Sequence, residues 1–244
     1  MPSNLSRSAD LMETIGHWAD RIAILENAYF TSLREGTITR SAFVETQMQF
    51  FFAVQFFSRP MAALMARIPD SEARAALIHN LADEHGLADE GEKNSISFDP
   101  RLAHDRTFLR FLSTLGVTSQ AVSTTRERAP TRAFNAALMG TCVTAPIEVA
   151  LGCLGIIEYV FADISSLIGQ EVVARGWVCS QQLVHYKLHA QIDKQHAAEF
   201  FQSIAAAWSQ GAAGRVNVES GIELGLYLFD RLYVDLYRDV GETA

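Results

Sequence analysis

Apolar residues recur at helical spacing through most of the 244-residue chain. Leu11, Ile15, Trp18, Ile22, Leu25, Ala28 and Phe30 predict a first helix over residues 11–33, with Gly36 placed as its C-cap. A second helix is predicted over residues 40–66. There Phe50, Phe51, Phe52, Phe56 and Phe57 leave no polar side, which suits a central helix or the wall of an apolar pocket, and Pro60 should kink it. Pro69 and Asp70 open a third helix that runs to Gly86. Periodicity then fails over residues 88–103, where Asp89, Glu90, Gly91, Glu92 and Pro100 mark a polar loop and candidate lid. A short helix begins at His104 and ends at Gly116, residues 118–129 are helical in part and stopped by Pro130, and another helix covers 131–143. Pro146 stands at the first turn of an apolar helix running to about Leu167. A His-rich helix follows to about Trp208, and an amphipathic one covers 219–237. No strand-type alternation of any length is present, so the pattern predicts an all-α fold in a single domain over residues 1–244.

The His-rich helix carries the candidate chemistry. An α-helix turns about 100° per residue, so Asp193 and His196 lie at about 40° and −20° from His189, on one narrow stripe. Leu188, Ile192, Ala197, Phe200 and Phe201 around them mark a packed helix. A single imidazole in such a place is most often a hydrogen-bonded core histidine. Two imidazoles and a carboxylate on one buried stripe point instead to a metal ion, which satisfies all three at once.

Composition narrows the function classes. The chain is 49% hydrophobic and 20% charged, ample for a buried core, and its net charge of −8 argues against nucleic acid as a partner. Cys142, Cys153 and Cys179 are odd in number and form no CxxC pair, which fits neither a disulfide framework nor a zinc ribbon and suits a reducing cytoplasm. Residues 1–20 meet acidic side chains before any apolar run, and no apolar segment reaches membrane-spanning length. A cytoplasmic protein without signal peptide or membrane span is expected.

Asp193-x-x-His196 is the carboxylate and histidine spacing that helical bundles use around a pair of irons, where imidazoles take terminal positions and carboxylates bridge. A ferritin-like protein would carry a second Glu-x-x-His, and this chain has none. Glu84 and Glu158, each on an apolar helix with no adjacent Lys or Arg, are the bridging candidates, against the plainer reading of helix-surface glutamates.

These residues resemble the heme-oxygenase-like diiron oxidases, whose fold is shared with thiaminase-like and pyrroloquinoline-quinone-synthase-like bundles. The resemblance runs through the Phe-rich second helix, the stretch Asn80-Leu81-Ala82-Asp83-Glu84-His85-Gly86, and His104 followed by Thr107-Phe108-Leu109-Arg110-Phe111-Leu112. It continues through Gly155-Ile156-Ile157-Glu158-Tyr159 and His189-x-x-x-Asp193-x-x-His196, the most specific motif. It implies a heme-oxygenase-like bundle of about seven to nine helices, and Glu84, His104, Glu158, His189, Asp193 and His196 as metal ligands, with Glu84 and Glu158 bridging. In some relatives the ligand histidine follows the first glutamate by about two turns, a position held here by Gly91. His104 is taken in its place because of the stretch after it, with His85 as the fallback. His17, His79 and His185 read as structural, His185 as an outer neighbour of the site. Glu148 is the nearest competitor to Glu158, and Asp83 or Glu92 could add a carboxylate.

The resemblance further implies an O2-activating diiron oxygenase or oxidase. Its two ferrous ions would react with O2 to oxidise a small organic substrate, and an external electron donor is left open. N-oxygenation of an amine is the first expectation, since Asp89, Glu90 and Glu92 would attract a cation. Oxidative C–C cleavage or decarboxylation of an amino or fatty acid is the alternative. A non-oxidative thiaminase-like enzyme and a non-catalytic helical binding protein are the other classes. A homodimer is expected from Leu226, Leu228, Tyr233 and Leu236 on the last helix, if these are exposed.

Overall fold

The expected first helix breaks in two at Ala23. The computed structural model describes residues 4–89 and 96–241. It places α1 at Asn4–Ile22, a 3-10 turn at Ile24–Glu26 and α2 at Ala28–Glu35. Ala23 sits in the left-handed region (φ 48), and the Asn27 side chain accepts from Phe30 N at 3.1 Å, a fresh N-cap that restarts the chain in a new direction. Gly36 (φ 78) closes α2, as the pattern required. α3 (Arg40–Met65) carries Pro60 within it and is capped by Thr39, which accepts from Ala42 N.

α4 (Ala75–Glu84) starts later than Asp70 suggested. Asp70 accepts from Ala73 N at 2.8 Å and caps only a turn ahead of the helix. A short strand pair enters the expected loop over 88–103: β1 (Leu87–Asp89) pairs antiparallel with β2 (Ile96–Phe98), Leu87 opposite Phe98. Residues 90–95, and with them Glu90, Gly91 and Glu92, lie outside the described residues.

The rest is helical: α5 (His104–Thr114), α6 (Ser119–Thr124), α7 (Ala129–Thr144), α8 (Ile147–Ala174), α9 (His185–Ser209) and α10 (Ala212–Gly241). Ten α-helices thus stand among the described residues, more than expected, because the first divides. Pro130 begins α7 where it was expected to stop a helix: in a first turn its missing N–H costs no hydrogen bond.

α8 is the axis of the bundle, buried along most of its length. Its glycines serve close packing. A Cβ on Gly155 would come within 3.1 Å of Phe200 and Phe201 on α9, and one on Gly221 of α10 would lie 2.3 Å from the Val149 carbonyl oxygen on α8. α9 and α10 therefore approach α8 more closely than side chains would allow. Phe50 on α3 meets Phe108, Phe161, Phe229 and Tyr233, and this aromatic mass closes one side of α8 and α9.

Leu226, Tyr233 and Leu236 belong to that core and are at most 1% exposed, and Leu228 packs against it. The residues on which a homodimer was expected are therefore the chain's own interior. Among the described residues no helix is long and apolar enough to cross a membrane.

Candidate metal centre

The α9 stripe folds as its spacing dictates, with His189, Asp193 and His196 all buried. His189 Nδ1 lies 2.9 and 3.0 Å from the two Asp193 oxygens, one helical turn on. That bond holds a proton on Nδ1 and turns Nε2 inward, where it has no hydrogen-bond partner. His196 is held in the opposite sense. Its Nε2 bonds Asp83 Oδ2 on α4 at 2.9 Å, and its Nδ1 is left unpartnered inside. A carboxylate fixing the outer nitrogen so that the inner one can bind is the usual support of a metal-bound histidine.

α8 supplies Glu158, the one carboxylate in its most apolar stretch. Asn80 of α4 donates to Glu158 Oε1 at 3.0 Å, and Glu158 Oε2 stands 3.9 Å from His196 Nδ1. Asp193 Oδ1 is also 3.9 Å from that nitrogen. Glu158, Asp193 and His196 each offer a ligand atom, all within 4.8 Å of one another. Bonds of about 2 Å to a central ion span such a gap.

Glu84, the last residue of α4, and His104, the first of α5, form a second buried pair, Nδ1 to Oε1 at 2.8 Å. The His104 ring lies against His189, centroids 4.4 Å apart. Glu84, His104, Glu158 and His189 line one narrow cavity, together with Phe50, Phe161 and Phe229. The structure thus brings the six expected site residues to one place. Glu148 does not join them: ten residues earlier on α8 means about 15 Å along the axis. His85 faces outward and bonds the Leu81 carbonyl, and His17 is exposed.

The electrostatics are those of a site short of positive charge. Burial, and then the charge of Glu158, push the Asp193 carboxyl well above the usual carboxylate range. Burial disfavours a charged His196, but Asp83 and Glu158 outweigh it and push its pKa up to about 11. Burial opposes a charged His104 as well, yet Glu84, Asp193 and Glu158 hold it above the ordinary histidine value. His189 goes the other way: burial and then His104 press it down to about 3, so it stays neutral and ready to coordinate. Three inward carboxylates and three imidazoles, of which His104 and His196 would give up a proton when a metal binds, match the hard-to-intermediate oxygen and nitrogen set of non-heme iron.

Residues 44–229 match the family model described as iron-containing redox enzyme. The chain belongs to that family. Its fold is the heme-oxygenase-like one. A domain of unknown function from Shewanella denitrificans with that fold is 16% identical, covers 96% of this chain and 93% of its own, and superposes with a TM-score of 0.73. A CADD-like protein of unknown function from Nostoc punctiforme is 15% identical over 95% of this chain and 97% of its own, TM-score 0.74. A TenA homolog from Pseudomonas syringae is 14% identical over 95% and 92%, TM-score 0.69. At such identities the superpositions establish the fold alone. No curated protein matches the chain.

Sequence reasoning left two residues that bond into the candidate site unassigned. Asn80 was not singled out, and Asp83 was one of two unselected carboxylates. His79, read as structural, bonds Glu199 at 2.9 Å and stands 3.7 Å from Asp83 Oδ2. The signal was present in the spacing of α4, where His79 with Asp83 and Asn80 with Glu84 are i, i+4 pairs on the helix that carries the site.

Proposed function

We propose that the chain is an O2-activating non-heme diiron oxygenase that acts on a small organic amine. The observation that carries this reading is the pair of unpartnered inward nitrogens, His189 Nε2 and His196 Nδ1, set among Glu158 and Asp193. His196, Asp193 and Glu158 would hold one iron, and Glu84, His104 and His189 the other, with the two glutamates between them. When bound, the irons would give electrons to O2, and the oxygen activated in this way would oxidise the substrate. The chain's own residues do the rest. Asp83 and Asp193 fix the ring orientations of His196 and His189. Asn80 holds Glu158 in place, and Phe50, Phe161 and Phe229 keep water from the reacting atoms.

The amine is favoured by the cavity itself. Its lining includes no Lys or Arg among the described residues, so a substrate carboxylate finds no cationic side chain there. That supports N-oxygenation over cleavage of an amino or fatty acid. Thiol chemistry of the thiaminase-like kind fits poorly: Cys142 and Cys153 are buried, which pushes the Cys142 thiol up to about 12 and that of Cys153 up as well, and Cys179 is outside the cavity lining.

The test is anaerobic titration of the metal-free protein with Fe(II), followed by mixing with O2 in a stopped-flow absorbance experiment. About two irons per chain and a transient visible band, both absent in His196→Ala, are expected. Iron uptake without defined stoichiometry and without a band overturns the reading.

A further inference from the structure

His185 stands one turn before His189 on α9 and is fully buried. Its ring lies 4.3 Å from that of His189, centroid to centroid, and it lines the same cavity. It is not part of the proposed ligand set, and its Nε2 has no partner.

The proton on this ring can be placed. Thr107 Oγ1 on α5 lies 2.9 Å from the His104 carbonyl oxygen and 2.9 Å from His185 Nδ1. A hydroxyl has one hydrogen to give, and a carbonyl oxygen can only accept. If Thr107 donates to the carbonyl, it accepts from His185 Nδ1–H, and both contacts are hydrogen bonds. If it donates to His185, two acceptor oxygens are left 2.9 Å apart with no hydrogen between them. The first arrangement satisfies every contact. His185 therefore carries its proton on Nδ1, and its Nε2 presents a bare lone pair to the cavity. Phe108, 4.8 Å away, and Phe161, 6.4 Å away, cannot answer it, and a buried acceptor without a donor is costly.

We propose that His185 is the substrate-facing acceptor of this cavity, its Nε2 taking an N–H of a bound amine. The inference rests on the cavity being the amine site proposed above. It gives that site a specificity-determining contact: a substrate with an N–H pointing away from Glu84 and Glu158 is held, and one fully substituted at nitrogen leaves the acceptor unanswered. The iron ligands govern whether oxidation occurs, and His185 governs which way the amine lies.

The test uses the full-length protein labelled with 15N-histidine, read by NMR, with Zn(II) as a diamagnetic probe of the metal centre and methylamine as a probe of the cavity. In the metal-free wild type, His185 is expected as the Nδ1-protonated tautomer, and Thr107→Val, which keeps the side-chain shape, should lose that signature. A His185 protonated on Nε2 overturns the proposal. Zn(II) should move the resonances of His189 and His196 and leave His185 Nε2 in place. A metal-dependent shift at His185 Nε2 makes it a ligand and overturns the proposal, whereas no shift at any of the three sinks the metal centre and leaves the tautomer to be judged by itself. Methylamine should then shift His185 Nε2 saturably, with Nδ1 unmoved, and His185→Phe should weaken methylamine by about tenfold or more. His185→Gln, which retains an acceptor oxygen, should recover part of that loss. The absence of a methylamine shift at Nε2 in the wild type overturns the proposal.

Discussion

The two sides of the candidate metal centre are built in different ways. On one side, His189, Asp193 and His196 come from a single helix, α9, pressed against α8 and its Glu158 through glycine-mediated close contact. On the other, Glu84 and His104 stand at the end of one short helix and the start of another, joined by the β1–β2 hairpin. The first side draws its geometry from helical periodicity and a packed interior. The second depends on two helix termini meeting across a connection. If such a site takes the two irons proposed, it should bind them unequally, the tighter one between α8 and α9.

The strongest way to break this comparison is His196→Ala. It removes a proposed ligand from the rigid side and takes the charged His196 ring away from Asp83, Glu158 and Asp193. Two-iron uptake should be lost outright. The metal-free variant should also be less stable by about 3–5 kcal/mol, as when one partner of a buried pair is deleted. Iron titration and denaturant unfolding check both. Glu84→Gln addresses the other side. It keeps the shape and the acceptor that faces His104 while losing the charge, and the expected result is one iron per chain and no reaction with O2. If Glu84→Gln instead abolished all iron binding, the two sides would be a single cooperative unit.

The same contrast explains what was legible in the sequence. The α9 stripe could be read from spacing alone, since offsets of four and seven on a helix are fixed by its pitch. Glu158 could be read as a charge in an apolar run. The meeting of Glu84 with His104 could not: twenty positions and a hairpin separate them, and only the family resemblance linked the two. Asn80 was missed, and Asp83 was not selected over Glu92, because their roles appear only when α4 is laid across α8 and α9. Local chemistry redirected two fold expectations, the Asn27 cap that splits the first helix and Pro130 that begins α7. The apolar face of α10 was legible as a face. Whether it met a second chain or this chain's own core was a tertiary fact.

Asp83→Ala sharpens the comparison at the point where the two sides touch. Asp83 belongs to α4 but acts on α9, through the His196 ring it orients. Its loss should leave iron stoichiometry intact and weaken affinity on the α8–α9 side by about 10–100-fold, as outer partners of metal-bound histidines do. Competition with a chelator of known affinity reads this directly.

His79→Ala should do least. His79 continues the line outward from Asp83 to Glu199, but its side chain is 41% exposed and that of Glu199 26%. Water and salt answer such charges nearly as well as a partner does, so the expected loss is about 0.2–1 kcal/mol in denaturant unfolding, with iron affinity unchanged. The line His196, Asp83, His79 runs from the interior to the surface, its side chains 2%, 22% and 41% exposed, and each step outward should cost less when removed. That gradient follows from burial. If His79→Ala weakened iron binding as much as Asp83→Ala, His79 would be orienting Asp83 rather than merely neighbouring it, and the metal centre would extend a further layer towards the surface.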